Sequence, residues 1–333
     1  MSIKVVIITE GGTDVGVGHI TRCISFCHAF EEREIQPEII VNGDSRVKNL
    51  LNGQKYCIFN WLKERNRLFD LLKDASIVII DSYLANMGFY REISEITEIP
   101  VYIDDNKRID YPSGFVVNGA VYAGHLDYPQ RDGIVYLLGS RYTPLRREFW
   151  DVSEKDIKKK PESIMITFGG DDSKNMTPKI LKFLNEEYPK LTKNVIIGKG
   201  FCHKKEIENL KSEKTNFVYN SSAGKMKEVM LESDIAISAG GQTIYELARV
   251  GVPTVGICVA ENQLRNLQGW EKCGFVEYVG WYNDGNLFQK IEEALKILDY
   301  KKRTKMSRIS QRFVNGQGAR RVVRKILKWT RKV

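Results

Sequence analysis

Two successive series of short, β-branched segments constrain the fold of this 333-residue chain more than any other feature. In each series the short segments alternate with longer amphipathic ones, a pattern typical of βαβ units that form a parallel sheet. The first series predicts strands at residues 4–9, 38–41, 56–59, 77–80, 101–103, 115–117 and 135–138. The second predicts strands at residues 164–168, 194–197, 217–219, 235–238, 254–257 and 276–279. We therefore predict an α/β fold of two Rossmann-like, doubly wound domains.

The segment between the two series predicts the domain boundary. Residues 151–161, DVSEKDIKKKP, lose all periodicity, are highly charged and end in a proline, as exposed connectors do. We place the boundary there, which gives an N-terminal domain of residues 1–155 and a C-terminal domain of residues 156–333. Open α/β sheets bind ligands at the carboxyl ends of their strands, so two such domains in tandem predict a cleft between those ends.

Composition excludes several classes of protein. The 42% hydrophobic and 28% charged residues are typical of a globular chain. No apolar run reaches the roughly 18 residues that a membrane span needs. The start MSIKVVIIT is too short for a secretory signal and predicts a strand, so we expect a cytoplasmic protein.

The 6 cysteines show no C-x-x-C spacing. Reduced thiols are favoured over disulfides or a zinc site, and we predict no metal and no cofactor.

The net charge of +9 arises from the last part of the chain. Residues 301–333 contain 13 of the 51 Lys and Arg residues and no Asp or Glu. A solvated helix face explains this charge, and so does contact with an anionic membrane surface or a nucleic acid. Because no stacking pattern or recognition motif accompanies the charge, we expect no nucleic-acid partner. Peripheral membrane contact through residues 301–333 stays open, as does the oligomeric state.

A glycine-rich turn follows the first predicted strand, in the sequence GGTDVGVGHITRC of residues 11–23. Glycines let the backbone turn sharply and approach a ligand, and the next helix presents N–H groups to it. We therefore predict substrate contacts at Gly16, Gly18 and Arg22. His19 lies in the first turn of that helix, where it could accept a proton from an attacking water or hydroxyl. A structural, hydrogen-bonded histidine is the alternative. A dinucleotide fingerprint is disfavoured, because it requires a glycine where this chain has a threonine.

Polar residues end two of the buried strands, in IIDSY and YIDDN. Asp81, Tyr83 and Asp104 are candidates to orient His19 or to bind sugar hydroxyls, because strand ends carry the ligand contacts of such domains. The alternative is that the aspartates cap the next helix. Asp104 and Asp105 are adjacent on a strand, so they point to opposite faces and do not share one metal ion.

The second domain contains a short predicted helix that begins with a glycine pair, in the sequence SAGGQTIYELARVGVP. Backbone N–H groups at Gly240, Gly241, Gln242 and Thr243, together with the helix dipole, suit a diphosphate. Glu246, one turn along, is placed to accept both hydroxyls of a ribose.

Three further residues follow strands at the same sheet edge. Asn262 and Gln263 begin the next helix in AENQ and can reach the cleft, with an amide cap as their alternative role. Gly170 follows the first strand of the domain in ITFGGDD and is expected to allow close backbone approach.

Seven segments together resemble a known family, in order and across nearly the whole chain. They are VGVGHITRC, IIDSY, YIDDN, LGSRYTPLRREF, ITFGGDD, ISAGGQTIYELARVGVPTV and AENQ. The family is the UDP-sugar hydrolase of pseudaminic acid biosynthesis, which is similar to the GT-B glycosyltransferases, including the N-acetylglucosaminyltransferase of peptidoglycan synthesis. The resemblance implies a GT-B fold and a UDP-sugar substrate.

The resemblance also implies a reaction: metal-independent hydrolysis of UDP-2,4-diacetamido-2,4,6-trideoxy-β-L-altropyranose at the anomeric carbon, with inversion. The catalytic residues of the family correspond to His19, Tyr83 and Asn262, and its nucleotide loop to residues 240–246. The chain departs from the family before the glycine turn, at residues 10–14, which would line the sugar pocket. A glycosyltransferase that passes the sugar to an acceptor is the alternative enzyme, and a non-catalytic binder of nucleotides or nucleic acids is the alternative outside enzymes.

Overall fold

The computed structural model describes residues 3–12 and 15–330. The chain forms two units, one of Met1–Arg147 with Gly316–Val333, and one of Glu148–Asn315. Each unit has its own parallel sheet and its own hydrophobic core. Each predicted strand is present, which confirms the prediction of two Rossmann-like α/β domains.

The N-terminal unit contains a parallel sheet in the strand order β3-β2-β1-β4-β5-β6-β7. Its strands are β1 (Val5–Gly11), β2 (Glu38–Gly43), β3 (Lys55–Ile58), β4 (Ile77–Asp81), β5 (Ile99–Ile103), β6 (Gly114–Asn118) and β7 (Ile134–Leu138). Its α-helices are α1 (Gly18–Glu31), α2 (Arg65–Leu72), α3 (Met87–Ile96) and, from the end of the chain, α11 (Gly318–Trp329). β1 and β4 are buried along their whole length, as the apolar runs VVII and IVII that begin them favour.

The C-terminal unit has the strand order β10-β9-β8-β11-β12-β13, again parallel. Its strands are β8 (Ser163–Thr167), β9 (Thr192–Ile197), β10 (Thr215–Tyr219), β11 (Ile235–Ala239), β12 (Thr254–Cys258) and β13 (Val276–Trp281). Its helices are α4 (Met176–Glu187), α5 (Lys204–Asn209), α6 (Ala223–Glu232), α7 (Thr243–Val250), α8 (Glu261–Lys272), α9 (Leu287–Ile297) and α10 (Tyr300–Phe313).

The strand order locates the functional edge of each sheet. In the N-terminal unit the chain proceeds outward from β1 in one direction and from β4 in the other, so the order reverses between these two strands. In the C-terminal unit it reverses between β8 and β11. Ligands of doubly wound sheets bind at the carboxyl ends of the strands on either side of such a reversal. The glycine-rich turns of both units follow strands at these positions.

The last helix corrects the predicted domain division. Residues 156–333 were expected to form one domain, but α11 packs against α1 of the N-terminal unit. Its Arg320 donates hydrogen bonds of 2.7 and 2.5 Å to the Glu32 carboxylate at the end of α1, and Val322 and Ile326 are buried. An amphipathic sequence shows that a helix needs an apolar partner and does not identify which sheet supplies it.

The segment predicted to be an exposed connector is anchored within the C-terminal unit. Lys155 is 6% exposed, and its ammonium group donates hydrogen bonds to the carbonyls of Met230 and Leu231, 3.1 and 2.7 Å away. These carbonyls end α6, where a cation interacts favourably with the helix dipole. The boundary therefore precedes this segment, at Arg147.

Substitution of Gly318 tests the position of α11. A Cβ atom at Gly318 would lie 1.9 Å from the carbonyl oxygen of Thr143. We expect Gly318→Ala to lower the free energy of unfolding by about 1–3 kcal/mol, because helix and loop must separate. Urea denaturation measures the change. Gly124→Ala is the control, since a Cβ there meets open space; equal stability of the two variants would contradict the packing of α11.

The basic tail is divided between the two units. Its α10 portion belongs to the C-terminal unit and its α11 portion to the N-terminal unit, while Arg331 and Lys332 lie outside the described residues. Within residues 3–12 and 15–330, none of the helices combines the length and the apolar character that crossing a membrane requires.

Candidate functional site

His19 and Asp81 meet at the strand-order reversal of the N-terminal unit. Gly16, with φ of +79°, turns the chain after β1, and α1 begins two residues later. His19 is therefore in the first turn of α1 and is 7% exposed. Asp81 ends the neighbouring strand β4 and is fully buried. The His19 Nδ1 and the Asp81 Oδ1 are 2.6 Å apart, which is a short hydrogen bond.

Arg22 links Asp81 to a second carboxylate, that of Asp105. Its guanidinium donates to both Asp81 oxygens, with 2.6 Å between Nη2 and Oδ1, and to both Asp105 oxygens at 2.7 and 3.1 Å. Burial alone would raise the pKa of Asp81, but Arg22 and His19 outweigh it and lower this pKa to about 2. Asp105 follows the same pattern, since Arg22 overcomes the effect of burial and lowers its pKa. Both carboxylates are therefore ionised at neutral pH.

The ionised Asp81 determines which nitrogen of His19 is free. A carboxylate only accepts hydrogen bonds, so the His19 Nδ1 carries the proton and donates it to Asp81. In the neutral ring the Nε2 then has a lone pair, and the ring orientation is fixed by the partner of Nδ1. His19 is thus oriented as a proton acceptor through Nε2.

Tyr83 packs against His19 and is held by Asp105. The two rings meet edge to face, with centroids 4.7 Å apart and an interplanar angle of 88°. The Tyr83 hydroxyl donates to Asp105 Oδ2 at 2.5 Å. Burial and the adjacent Asp105 carboxylate raise the pKa of Tyr83, so the hydroxyl stays protonated. Its oxygen lone pairs remain available to accept a hydrogen bond from a ligand.

Asp104 is placed differently from the other predicted residues. Its carboxylate accepts hydrogen bonds from the backbone N–H groups of Asp105 and Arg108, at 2.9 and 3.2 Å, and from the Tyr128 hydroxyl at 2.5 Å. These bonds shape the loop after β5. Asp81, not Asp104, bonds to His19, and Asp104 holds the loop that carries Asp105.

Two carboxylates of this network were not predicted in these roles: Asp105 was not a candidate site residue, and Glu10 was expected only as part of the sugar-pocket segment, residues 10–14. Glu10 is fully buried in β1 and accepts hydrogen bonds from the Ser82 hydroxyl and from the backbone N–H groups of Tyr83 and Leu84. It therefore fixes the loop that presents Tyr83. A carboxylate at the end of an otherwise apolar strand was the sequence signal for it. Thr13 and Asp14, also in the predicted sugar-pocket segment, lie outside the described residues.

The glycine pair of the C-terminal unit lies between β11 and α7, as predicted. Gly240 donates its N–H to Gln263 Oε1 at 3.1 Å, and its carbonyl accepts from Asn266 Nδ2 at 3.2 Å. Both amides belong to α8, so this helix fixes the loop. Gln263 is thus a loop partner through its Oε1, while Asn262 is exposed in the same first turn.

The start of α7 brings together the other residues predicted to bind the nucleotide. Gln242 is the exposed N-cap residue and Thr243 the first helical residue, at the amino end of the helix, where the helix dipole is positive. Glu246, one turn along, is 3% exposed. Gly170, exposed after β8, accepts a hydrogen bond of 3.0 Å from the backbone N–H of Gly200. The loops after β8 and β9 therefore approach one another through their backbones.

Metal-binding groups of three or more His, Cys, Asp or Glu side chains do not occur among residues 3–12 and 15–330. The chemistry that the described residues themselves offer is a histidine base, ionised carboxylates, a guanidinium and backbone N–H donors.

The sequence of the C-terminal half matches a known family. Residues 163–322 match the glycosyltransferase family 28 C-terminal domain. This range covers the glycine pair, α7 and Glu246. The helix N-terminus described above therefore lies within a domain type that occurs in glycosyltransferases.

Two curated proteins are similar over most of the chain. An uncharacterized protein of Methanocaldococcus jannaschii is 25% identical over 269 residues, which are 76% of this chain and 55% of that protein. The pseudaminic acid cytidylyltransferase and UDP-2,4-diacetamido-2,4,6-trideoxy-β-L-altropyranose hydrolase of Helicobacter pylori is 23% identical over 78% of this chain and 45% of that protein. The chain thus spans about half the length of these two relatives.

Solved structures show the same fold. MurG of Acinetobacter baumannii has a TM-score of 0.71 at 14% identity, over 98% of this chain and 99% of that one. The UDP-GlcNAc 2-epimerase of Neisseria meningitidis, bound to UDP-GlcNAc, has a TM-score of 0.62 at 14% identity, over 98% and 100% of the two chains. These likenesses establish the GT-B-type pair of parallel-sheet domains.

Proposed function

We propose that the protein is a hydrolase that cleaves a UDP-sugar at the anomeric carbon and releases UDP and the free sugar. The observation that carries the proposal is the His19–Asp81 pair, because attack by water needs a base with a fixed, available lone pair. A UDP-linked diacetamido-trideoxy sugar of pseudaminic acid biosynthesis is the substrate we propose, by similarity to the Helicobacter pylori protein.

In the proposed reaction, water attacks the anomeric carbon from the face opposite the diphosphate. The His19 Nε2 takes a proton from this water while the bond from the anomeric carbon to the diphosphate oxygen breaks, and UDP leaves with the bonding electrons. The configuration at the anomeric carbon is inverted, and no metal takes part. Asp81 stabilises the imidazolium that forms, as a carboxylate on the far nitrogen does in other histidine bases.

The C-terminal unit binds the UDP in this proposal. The N–H groups at Gly241, Gln242 and Thr243 and the dipole of α7 hold the diphosphate, and Glu246 accepts the ribose hydroxyls. Gly240 was also predicted to contribute its N–H, but this group is donated to Gln263, so Gly240 shapes the loop instead. Asn262 donates to the departing UDP, so that fixed donors stabilise the charge that develops there. Gln263 acts by holding the loop at Gly240, and Gly170 allows close approach of the backbone.

Tyr83 and Asp105 are expected to position the attacking water or a sugar hydroxyl. Because the Tyr83 hydroxyl donates to Asp105, its oxygen faces the ligand as an acceptor. We predict that Tyr83→Phe and Asp105→Asn each lower kcat about tenfold, and that the double variant loses little more, because Asp105 acts through Tyr83. Steady-state kinetics test this. Tyr136→Phe, whose hydroxyl bonds the carbonyl of Pro129, is the control; additive losses in the double variant would contradict the coupling.

The loop at Gly240 is expected to govern UDP affinity. A Cβ atom there would lie 2.6 Å from Leu267 Cγ and 3.0 Å from the carbonyl oxygen of Gln263. Gly240→Ala must therefore displace the N–H groups that hold the diphosphate, and we expect the Kd for UDP to rise at least about tenfold. Isothermal titration calorimetry measures it. Gly224→Ala is the matched control, with its Cβ 3.9 Å from the nearest side-chain atom. Unchanged affinity in Gly240→Ala would place the UDP elsewhere.

Transfer of the sugar to an acceptor is the second candidate function. The match of residues 163–322 to a glycosyltransferase domain favours it, and the same histidine could activate an acceptor hydroxyl. Incubation of the purified protein with a panel of UDP-sugars separates the two. UDP release without any acceptor, from the diacetamido-trideoxy sugar above all, supports the hydrolase. Release that occurs only after an acceptor is added rejects the hydrolase and establishes the transferase.

A further inference from the structure

Helix α10 presents a line of cationic side chains to solvent. They belong to four exposed residues, Lys301, Lys305, Arg308 and Arg312, called here the α10 stripe. The spacing of four, three and four residues places them within an arc of about 60° on a helix with 3.6 residues per turn. The opposite side of α10 is buried in the C-terminal unit, with Arg303 and Met306 each 1% exposed.

Among the residues that the structure describes, the four stripe cations form no ion pair, whereas neighbouring cations are held by a carboxylate or by backbone carbonyls. On the same helix, Lys302 forms an ion pair with Glu277, with 2.8 Å between Nζ and Oε1. Arg303 donates to backbone carbonyls, including that of Leu298 at 3.1 Å. On α9, Lys296 pairs with Glu292. Among the described residues, none of the four stripe cations has a carboxylate oxygen within 4.0 Å.

The arrangement of the stripe opposes the stability of its own helix. Lys301 and Lys305 are four residues apart, as are Arg308 and Arg312, and like charges at this spacing repel one another on a helix surface. Lys305 and Arg308, three residues apart, add a third unfavourable pair. A surface that carries negative charge would relieve all three repulsions at once. The stripe therefore favours an anionic partner over bulk water.

Apolar side chains at the ends of α10 indicate which anionic partner fits. Ile297, the last residue of α9, and Tyr300, the first residue of α10, are 50% and 45% exposed, and Phe313, the last residue of α10, is 40% exposed. Cations flanked by exposed aliphatic and aromatic side chains are typical of helices that lie on lipid headgroups. A nucleic acid would bind only the cations, through its phosphates, and the exposed apolar side chains would stay in water. We propose that the α10 stripe docks the protein onto membrane surfaces rich in anionic phospholipid.

The location of α10 leaves the proposed nucleotide loop accessible. Gln311 of α10 donates to the carbonyl of Val250, the last residue of α7, at 3.1 Å. The glycine pair lies at the other end of α7. The stripe is therefore associated with the end of α7 that does not face the diphosphate, and its replacement should leave UDP release in solution unchanged.

Co-sedimentation of the full chain with lipid vesicles tests the proposal. We expect binding to vesicles of phosphatidylcholine mixed with phosphatidylglycerol, and at least about tenfold weaker binding to phosphatidylcholine alone or at high salt. Replacement of all four stripe residues by glutamine should reduce binding to the mixed vesicles by a similar factor. Four exposed lysines of the same unit, changed to glutamine together, provide the matched control: Lys179, Lys182, Lys190 and Lys214.

Two further measurements make the outcome decisive. The midpoint temperature of thermal unfolding should be at least as high in the stripe variant as in the wild type, because the repulsion within α10 is removed. A loss of vesicle binding in this variant then does not reflect misfolding. The proposal is overturned if the stripe and control variants bind the mixed vesicles equally, or if the wild type does not distinguish the two vesicle types. It is also overturned if the stripe binds an RNA or DNA duplex more tightly than the mixed vesicles. The rate of UDP release in solution should be the same in the stripe variant and the wild type, so failure of this proposal is distinguishable from failure of the proposed function.

Discussion

Replacement of His19 by asparagine is expected to lower kcat for UDP release by about 100- to 10,000-fold, the range typical of a lost general base. Asparagine retains a donor at the place of the Nδ1, so the bond to Asp81 and the stability of the site should survive. Only the Nε2 is lost. The Kd for UDP should therefore stay within about twofold, since the nucleotide loop is untouched.

The matched control for His19 is His125→Asn, at an exposed histidine of the same unit. UDP release measured at saturating substrate should be normal in this control. If His19→Asn retained more than a tenth of the wild-type kcat, or if His125→Asn lost as much, His19 would not be the base.

Replacement of Asp81 by asparagine is expected to affect both stability and activity. Asp81 is fully buried and bonded to both His19 and Arg22, so its neutralisation leaves the guanidinium without one of its carboxylates. Breaking a buried pair on one side typically costs about 3–5 kcal/mol. Because N–H donors face both oxygens of Asp81, the new NH2 group opposes either the His19 Nδ1 or the Arg22 Nε, which disturbs the orientation of the imidazole. We expect kcat to fall at least about 100-fold.

The pH dependence of unfolding identifies the charge of Asp81 as the cause. Its pKa is lowered from 3.8 to about 2 in the folded protein. Its contribution, about 2 kcal/mol from this shift, is therefore complete above about pH 4 and is lost as the pH falls to about 2. Urea denaturation at several pH values between 4 and 2 measures this contribution. The free energy of unfolding of the wild type should fall by about this amount over the range, and that of Asp81→Asn should not show this fall.

Asp110→Asn serves as the control for Asp81. Its carboxylate lies 3.1 Å from Arg131, and both side chains are half exposed. Exposed pairs contribute less than about 1 kcal/mol, so this variant should unfold almost as the wild type does. If Asp81→Asn and Asp110→Asn lost similar amounts of unfolding free energy, the ion pairs of Arg22 would contribute no more than an exposed surface pair does.

The sequence was sufficient for features that arise locally. Apolar runs predicted the strands, and a glycine-rich turn before an amphipathic segment predicted the starts of α1 and α7. The positions of His19 and Asp81 at the sheet edge followed, since both flank strand ends. Asp105 was missed because its partners, Arg22 and Tyr83, lie 83 and 22 residues away along the chain. Strand-end reasoning could not distinguish Asp105 from Asp104, whose side chain turns to its own loop.

Long-range packing was the other part that sequence reasoning could not supply. The amphipathic pattern of α11 is satisfied equally well by any apolar surface, so its return to the N-terminal unit was not predicted. Glu10 is a related case, because a buried carboxylate is explained only by the three donors of a loop more than 70 residues away. Such contacts join segments that carry no common local signal.

Hydrolysis in ¹⁸O-labelled water tests the central claim most directly. If the protein uses water to break the bond at the anomeric carbon, mass spectrometry will find the label in the hydroxyl of the released sugar and none in UDP. NMR of the fresh product will show the inverted anomer. Label in the terminal phosphate of UDP would place the attack at phosphorus, and no labelled product without an acceptor would exclude the hydrolase.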